Sequence, residues 1–233
     1  MGAHVGGEEE DSVASMFLGR GIHRQGGVVV ALYGDIEMDV VYAQGARAVG
    51  APVVVTRNRE HHILELDGRP ALRVMQAAYD TMTPKDKQLF QAKPLIGFGI
   101  EDYRGKVVEY WVRNIVGVHR ASGMFAAVGP LRNHQTVQFF VRDPDVATHD
   151  LCTQLKANVE KRGVPEGALI LGHGRGEAFF GRVGHDGGWA RTLLEIESVS
   201  GFLGLGVFGT LEDRMRQNLN TSIFGLMRHR DWS

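Results

Sequence analysis

The sequence predicts an α+β fold, with mostly antiparallel sheets and a few packed helices. Three observations carry this expectation. Short runs of apolar and β-branched residues, separated by turn residues, recur along most of the chain. Helical spacing is confined to a few segments, of which residues 144–161 are the clearest. The strands also cluster without a regular βαβ rhythm, as expected of α+β rather than doubly wound chains.

Taken in order, Gly27–Tyr33 (GVVVALY) and Met38–Ala43 read as strands, with Gly34-Asp35 between them. Val53–Thr56 and His61–Leu66 read as a pair around a polar turn at Arg57-Asn58-Arg59. Asp67-Gly68-Arg69-Pro70 precedes a helix in which Leu72, Met75 and Tyr79 share one face. Thr83-Pro84 reads as the cap and first residue of a short helix, PKDKQLFQ. Strands follow at Lys106–Val112, Ile115–His119, Gly123–Val128 and Gln135–Val141. Pro144 opens the long helix, where Leu151, Leu155 and Val159 recur at i+4, Lys161-Arg162 suits the C-terminal dipole and Gly163 is the stop. Ala168–Leu171 and Ala178–Phe180 read as strands, Trp189–Ile196 as a short amphipathic helix and Thr221–Met227 as the last strand.

Composition removes several function classes. In 233 residues, 26 Lys and Arg balance 27 Asp and Glu, leaving a formal charge of −1. Such a chain has no large electrostatic term for gripping a phosphate backbone, so no nucleic-acid partner is expected. The longest stretch free of Asp, Glu, Lys and Arg, Ser198–Leu211, falls short of the about 20 residues a membrane helix needs. One cysteine, Cys152, excludes an internal disulfide and a Cys-based zinc site. Residues 1–11 lack the basic and apolar regions of a secretory signal. Together these predict a cytoplasmic or other reducing intracellular location. Glycine, at 31 residues, is abundant but dispersed, which points to tight turns and close backbone approaches. There is no internal repeat, and no Pro/Ser-rich linker divides the chain.

Six segments then resemble the FIST family in the order that family places them. Leu66-Asp67-Gly68-Arg69-Pro70-Ala71 and the helix after it resemble the second half of the FIST N-terminal region. Residues 112–118 (VRNIVGV) resemble the entry strand of the C-terminal region, and residues 137–143 (VQFFVRD) its strand and turn. Gly174-Arg175-Gly176-Glu177 with Phe180-Gly181 resembles its RG segment. Residues 201–206 (GFLGLG) resemble its glycine segment, and Asn220-Thr221-Ser222 its closing strand. The resemblance divides the chain into an extension at 1–26, a partial FIST N-terminal region at 27–105 and a FIST C-terminal region at 106–233. It implies an intracellular small-ligand sensory module, non-catalytic, with an amino-acid-like or other anionic ligand. Haem is a cofactor of some bacterial members; otherwise none is expected. The chain departs from the family where Leu171-Gly172-His173 replaces a cysteine and where Val207-Phe208 stands in place of a glutamate. No role of either residue carries over.

The residues carry their own candidate chemistry. In Gly172-His173-Gly174-Arg175-Gly176, alternate glycines bring backbone N–H groups close to whatever sits above them, and Arg175 suits a bidentate carboxylate. Arg142 is a second anchor. The alternative is a strand connection in which Arg175 pairs with a local acid such as Glu177. Asp143, and likewise Asp67, reads as a helix cap or as a polar site residue. Gly204–Gly209 has the form G-x-G-x-x-G, but too little chain follows to complete a dinucleotide-binding unit. His119, His134 and His173 lie in or beside apolar strands and are the candidate axial ligands of a haem. His61 and His62 are adjacent on a strand and point to opposite faces, so they cannot share a metal. Cys152 lies mid-helix, with only His149 in reach as a base. No G-x-S-x-G frame surrounds Ser198 or Ser200.

Three readings follow: a FIST-type sensor, a structural or interaction subunit of a larger complex, and an enzyme. The lack of an assembled nucleophile or acid/base set argues against the third. The strands at 27–33 and 38–43 lack the neighbours that the family would place beside them. This predicts a protein partner or a homo-oligomer through the N-terminal half, unless residues 12–22 cover the exposed face. The acidic run Glu8–Asp11 is too small to cover it.

Overall fold

The computed structural model describes residues 1–4, 15–129, 131–211, 214–218 and 220–230. The acidic run Glu8–Asp11 and the first residues of the 12–22 segment therefore lie outside the described residues. The elements in chain order are β1 (Gly2–His4), β2 (Met16–Leu18), β3 (Gly21–His23), β4 (Ile36–Ala43), β5 (Ala46–Arg59), β6 (His62–Leu66), β7 (Arg69–Pro70), α1 (Ala71–Asp80) and α2 (Pro84–Ala92). There follow β8 (Leu95–Glu101), β9 (Val107–His119), β10 (Met124–Ala127), β11 (Thr136–Arg142), α3 (Pro144–Arg162), β12 (Gly167–Gly172), α4 (Glu177–Phe180) and α5 (His185–Leu194). The last four strands are β13 (Val199–Leu203), β14 (Gly206–Leu211), β15 (Arg214–Asn218) and β16 (Ser222–His229). The expected mixed architecture with mostly antiparallel sheets is what the chain adopts. No described helix is long and apolar enough to cross a membrane, a statement that does not bear on strands.

The chain forms two compact units, one from residues 1–45 and 147–233, the other from residues 46–146. These cut the chain at other places than the regions expected from the resemblance, 1–26, 27–105 and 106–233. Those regions divide it by sequence likeness, and the units divide it by contact.

In the second unit every pairing is antiparallel, in the order β10-β9-β8-β11-β5-β6-β7. β10 also pairs with β6, through Phe125 opposite Ile63, so six strands close on themselves. Closure leaves no unpaired edge among those six. Alternation along β11 sends Val137, Phe139 and Val141 to one face and Phe140 to the other. Phe139 packs edge-on to Phe90 of α2 and tilted against Phe125, so the two elements meet through aromatic rings. Ala71 and Val74 bring α1 onto the same cluster. Thr83 caps α2 as its sequence predicts, its hydroxyl accepting from the Asp86 N–H. Asp67 does not cap α1. It sits with Gly68 in the tight β6–β7 turn, at positive φ, and its Oδ1 accepts from the Val54 N–H at 2.8 Å.

In the first unit a four-stranded sheet runs β13-β12-β16-β4, and β12–β13 is a parallel pair. Leu151 and Leu155 of α3 and Ala190 and Leu194 of α5 pack with Val41, Ile170, Phe224 and Leu226 of the sheet. The i+4 stripe is thus the buried face of α3. Asp143 caps α3 by accepting from the Asp145 N–H at 3.0 Å. A second sheet, β1-β14-β15, and a hairpin, β2-β3, complete this unit.

Several local expectations need correction. Gly27–Tyr33 forms no strand; it is exposed along its length and has no ladder partner. The hairpin turn falls at Glu60-His61 rather than at 57–59, because β5 runs on to Arg59. Val107–His119, expected as two strands, is one strand, opposite β8 as far as Asn114 and opposite β10 beyond it; β8 itself was not foreseen. Ala178–Phe180 is the helical turn α4, ended by Gly181 at φ 68. α5 begins at His185, ahead of the expected Trp189. Gly206–Leu211 is a strand, so the G-x-G-x-x-G run opens no helix.

Candidate functional site

β12, α5 and β13 form a βαβ unit inside an otherwise antiparallel molecule. In such units the backbone leaves a crevice where the strands end and the helix begins. Here a cavity of about 320 Å³ occupies that place. Arg175 and Gly176 line it from the loop after β12, Gly184–Gly187 from the start of α5, and Ser200–Leu203 from β13. Ile170, Val183, Val199, Phe202 and Leu203 make most of the wall apolar, while Glu177 and Arg191 are exposed charges on its lining. Gly201 is required by the closeness of the two parallel strands, since a Cβ there would lie 1.9 Å from the Ile170 carbonyl oxygen.

One wall of the cavity is an ionic network centred on Asp186. Arg175 donates twice to its carboxylate, from Nε to Oδ2 at 2.7 Å and from Nη2 to Oδ1 at 3.0 Å. The Ser222 hydroxyl donates to Oδ2. His185 donates from Nδ1 to Oδ1 at 2.8 Å, which leaves Nε2 to accept from the Thr148 hydroxyl at 2.9 Å. Weaker bonds tie Arg175 to the Gln44 and Ala147 carbonyls at 3.4 and 3.5 Å. Phe180 stacks flat on the His185 ring at 3.5 Å, and the Arg175 guanidinium stands 5.0 Å from the Phe180 centroid. Burial pushes the His185 pKa down from its ordinary 6.5 against the pull of Asp186, so the ring is neutral at pH 7. Burial works to raise the Asp186 pKa, but the Arg175 pair and the hydroxyl and imidazole donors outweigh it and hold it below the usual carboxylate value.

Of the residues proposed from sequence, Arg175 and Gly176 line the cavity. Arg175 is 3% exposed and its guanidinium is committed to Asp186. The pairing with a nearby acid is therefore what the chain forms, but the acid is Asp186; Glu177 is exposed. Gly172 packs under Leu203 and the Ser222 hydroxyl, Gly174 makes the turn at φ 65, and His173 accepts at Nδ1 from the Asn220 N–H at 2.7 Å. Arg142 belongs to the second unit, at the end of β11 opposite Ala46. The haem reading does not fit these histidines. The bond to Nδ1 of His173 leaves its proton on Nε2, with no lone pair to offer iron. His119 is exposed and bonded to Ser122 at 2.9 Å, and His134 is exposed on a turn at φ 63. Burial raises the Cys152 pKa, as suits an inert thiol. No metal-binding group of His, Cys, Asp and Glu occurs among the described residues.

Sequence reasoning missed His185, Asp186 and Ser222. The local rule that an arginine in a strand–helix loop needs an acid points first to Glu177 in α4, the next helix; Asp186 stands one helix further on, in the first turn of α5.

The FIST N domain model matches residues 2–69. The match therefore takes in most of residues 1–26, read from sequence as an extension, and the resemblance there starts earlier than Gly27. The chain is 30% identical to the uncharacterized protein Rv0628c of Mycobacterium tuberculosis over 213 residues, 90% of this chain and 55% of that protein. It is 28% identical to the uncharacterized protein Mb0898c of Mycobacterium bovis over 218 residues, 92% of this chain and 56% of that protein. The chain thus spans little more than half the length of the curated relatives it matches. No solved structure matches it.

Proposed function

We propose that this chain is a FIST-type sensory module that binds a small molecule in the cavity beside Asp186, without catalysing a reaction on it. The carrying observation is the cavity itself, an apolar crevice at the end of a βαβ unit with one fixed polar wall. The match to the FIST N domain and the resemblance of residues 106–233 to the C-terminal region support the same reading. In it, Arg175 and Asp186 hold the shape of the site, and the specificity groups are the exposed Arg191 and Glu177, with Ser200. Opposite charges at Arg191 and Glu177 suit a ligand with a carboxylate and a neighbouring cationic or polar group, its apolar part lying against Phe202 and Leu203. An intracellular setting and signalling output belong to the same proposal.

The test is a thermal-shift screen with free amino acids and small carboxylates as probes. A true ligand at a hundredfold excess over its Kd adds about 2.7 kcal/mol of stability. Arg191→Ala should weaken that shift, and Ser200→Trp, which fills the crevice from an exposed position, should abolish it. A shift that survives Ser200→Trp undiminished would place binding elsewhere.

A further inference from the structure

β13 is an end strand of its sheet, with β12 on one side and no described strand on the other. Its parallel register fixes where its backbone groups point. The Ala168 N–H donates to the Ser198 carbonyl at 2.9 Å and the Gly204 N–H to the Gly172 carbonyl at 2.7 Å. Bonding residues alternate along such a ladder, so Ser200 and Phe202 also turn their backbone groups to β12, while Gly201 and Leu203 turn theirs to the open edge. Among the described residues no hydrogen bond reaches the N–H or C=O of Gly201 or Leu203. The edge is also apolar and bare, with Phe202 and Leu203 47% and 57% exposed. Such an edge is a template for another strand.

The cavity runs alongside this edge. Val199 and Ser200–Leu203 line it, so a chain laid on β13 passes its mouth with alternate side chains turned to it. The two exposed charges of the lining stand at opposite ends of the strand. Arg191 is at the start, its Nη2 3.5 Å from the Val199 carbonyl oxygen. Glu177 is at the end, for it follows Gly176, where a Cβ would lie 3.1 Å from Cδ1 of Leu203. Among the described residues neither enters an ion pair. Glu195 and Glu197 precede β13 but do not line the cavity.

We infer that the ligand of this cavity is a short peptide that adds to β13 as an antiparallel strand, with its carboxylate at Arg191 and its amine at Glu177. The inference rests on the ligand-binding reading above and names the class of ligand. Val199 to Leu203 spans about 13 Å at about 3.3 Å per residue, the length of a peptide of roughly three or four residues. An antiparallel peptide begins where β13 ends, so each of its termini meets the opposite charge; a parallel one would meet like charge at both ends. The amide groups of such a chain match the donors and acceptors of Gly201 and Leu203, which a single amino acid is too short to span. One apolar side chain of the peptide then lies in the cavity against Ile170 and Val183.

Calorimetric titration of the full chain tests this with a pool of tripeptides, Ala-Xaa-Ala with Leu, Ile, Val, Met or Phe in the middle, and with the same five free amino acids as a second probe. The pool should bind, and the free amino acids should bind about tenfold more weakly, for want of the backbone bonds. Leu203→Pro deletes an N–H that faces the edge and takes no part in the β12 ladder, so it should weaken the pool about fivefold relative to Leu203→Ala, which keeps that N–H. Amidating the peptide carboxylate should weaken binding to the native chain about threefold and leave binding to Arg191→Ala unchanged. Free amino acids that bind while the pool does not would overturn the inference and leave the small-molecule reading standing. Binding of neither probe would overturn it as well, and the thermal-shift screen with small carboxylates then judges the broader reading by itself. A pool bound equally by Leu203→Pro and Leu203→Ala would place the peptide off the edge. An amidated peptide that binds the native chain as tightly as the acid would also overturn the inference, whether or not Leu203→Pro folds.

Discussion

The barrel unit has no free edge among its six closing strands, because β10 bonds both β9 and β6, while the sheet of the other unit ends in β13 on one side and β4 on the other. The closed sheet packs Phe98, Phe125 and Phe139 in one buried cluster. The open sheet carries the parallel pair, the buried ion pair of Arg175 and Asp186, and the cavity. Both units bury charges, Asp86, Arg113 and Asp143 in one and Arg175 and Asp186 in the other, but of these only Arg175 and Asp186 line this cavity. A site needs convergent polar atoms and room for a ligand, and a barrel interior packed with Phe98, Phe125 and Phe139 offers neither.

Mutations that strike one unit only can break this comparison. The largest effect is expected from Arg175→Ala, which leaves the Asp186 carboxylate buried and uncompensated at a cost of about 3–5 kcal/mol. Denaturant unfolding followed separately at Trp189 and Trp111 should show the loss in the first unit alone; an equal loss in the barrel would contradict the division. Gly201→Ala comes next. Its methyl would strike the Ile170 carbonyl and force β13 from β12, at about 1–3 kcal/mol. The cavity should widen or collapse with it, read as lost ligand-induced stabilisation.

A third expectation concerns acid. The folded chain holds His185 neutral below the pH at which the unfolded chain, with its ordinary value of 6.5, takes up a proton. The stability that this ring contributes is therefore complete above about pH 6.5 and falls as the pH drops below it. Asp186 acts lower on the scale. Its depressed pKa contributes stability above the ordinary 3.8, and that contribution disappears as the pH falls through its folded value. Thermal melts from pH 7.5 to 5.5 should show the first unit weakening, and His185→Gln should flatten that slope. The smallest effect belongs to the barrel unit. Thr83→Ala removes the α2 cap and should cost about 1 kcal/mol there, with no change in the first unit's melting.

Elements whose signals are local were legible in the sequence. The caps Thr83 and Asp143, the stripe Leu151–Leu155–Val159 and the stop at Gly163 depend on residues a few positions apart, and each is where its spacing predicts. β8 was missed because its two glycines, Gly97 and Gly99, mask the strand pattern; they are there because Phe140, Tyr110 and the Thr136 carbonyl crowd those positions. Gly27–Tyr33 failed for the opposite reason: its residues favour a strand, but no described neighbour pairs with it. At the site, Arg175 stood out by its glycines. The rest of the network did not, because only the tertiary fold brings the start of α5 to Arg175 and Ser222 of β16 to the Asp186 carboxylate.

Amide hydrogen exchange, with and without the best-binding probe from the thermal-shift screen, tests the ligand site most directly. The account predicts new protection at residues 172–187 and 199–203, around the end of β12, with exchange in the barrel strands unchanged. Protection confined to the barrel strands, or no change around the cavity at saturating probe, would contradict it.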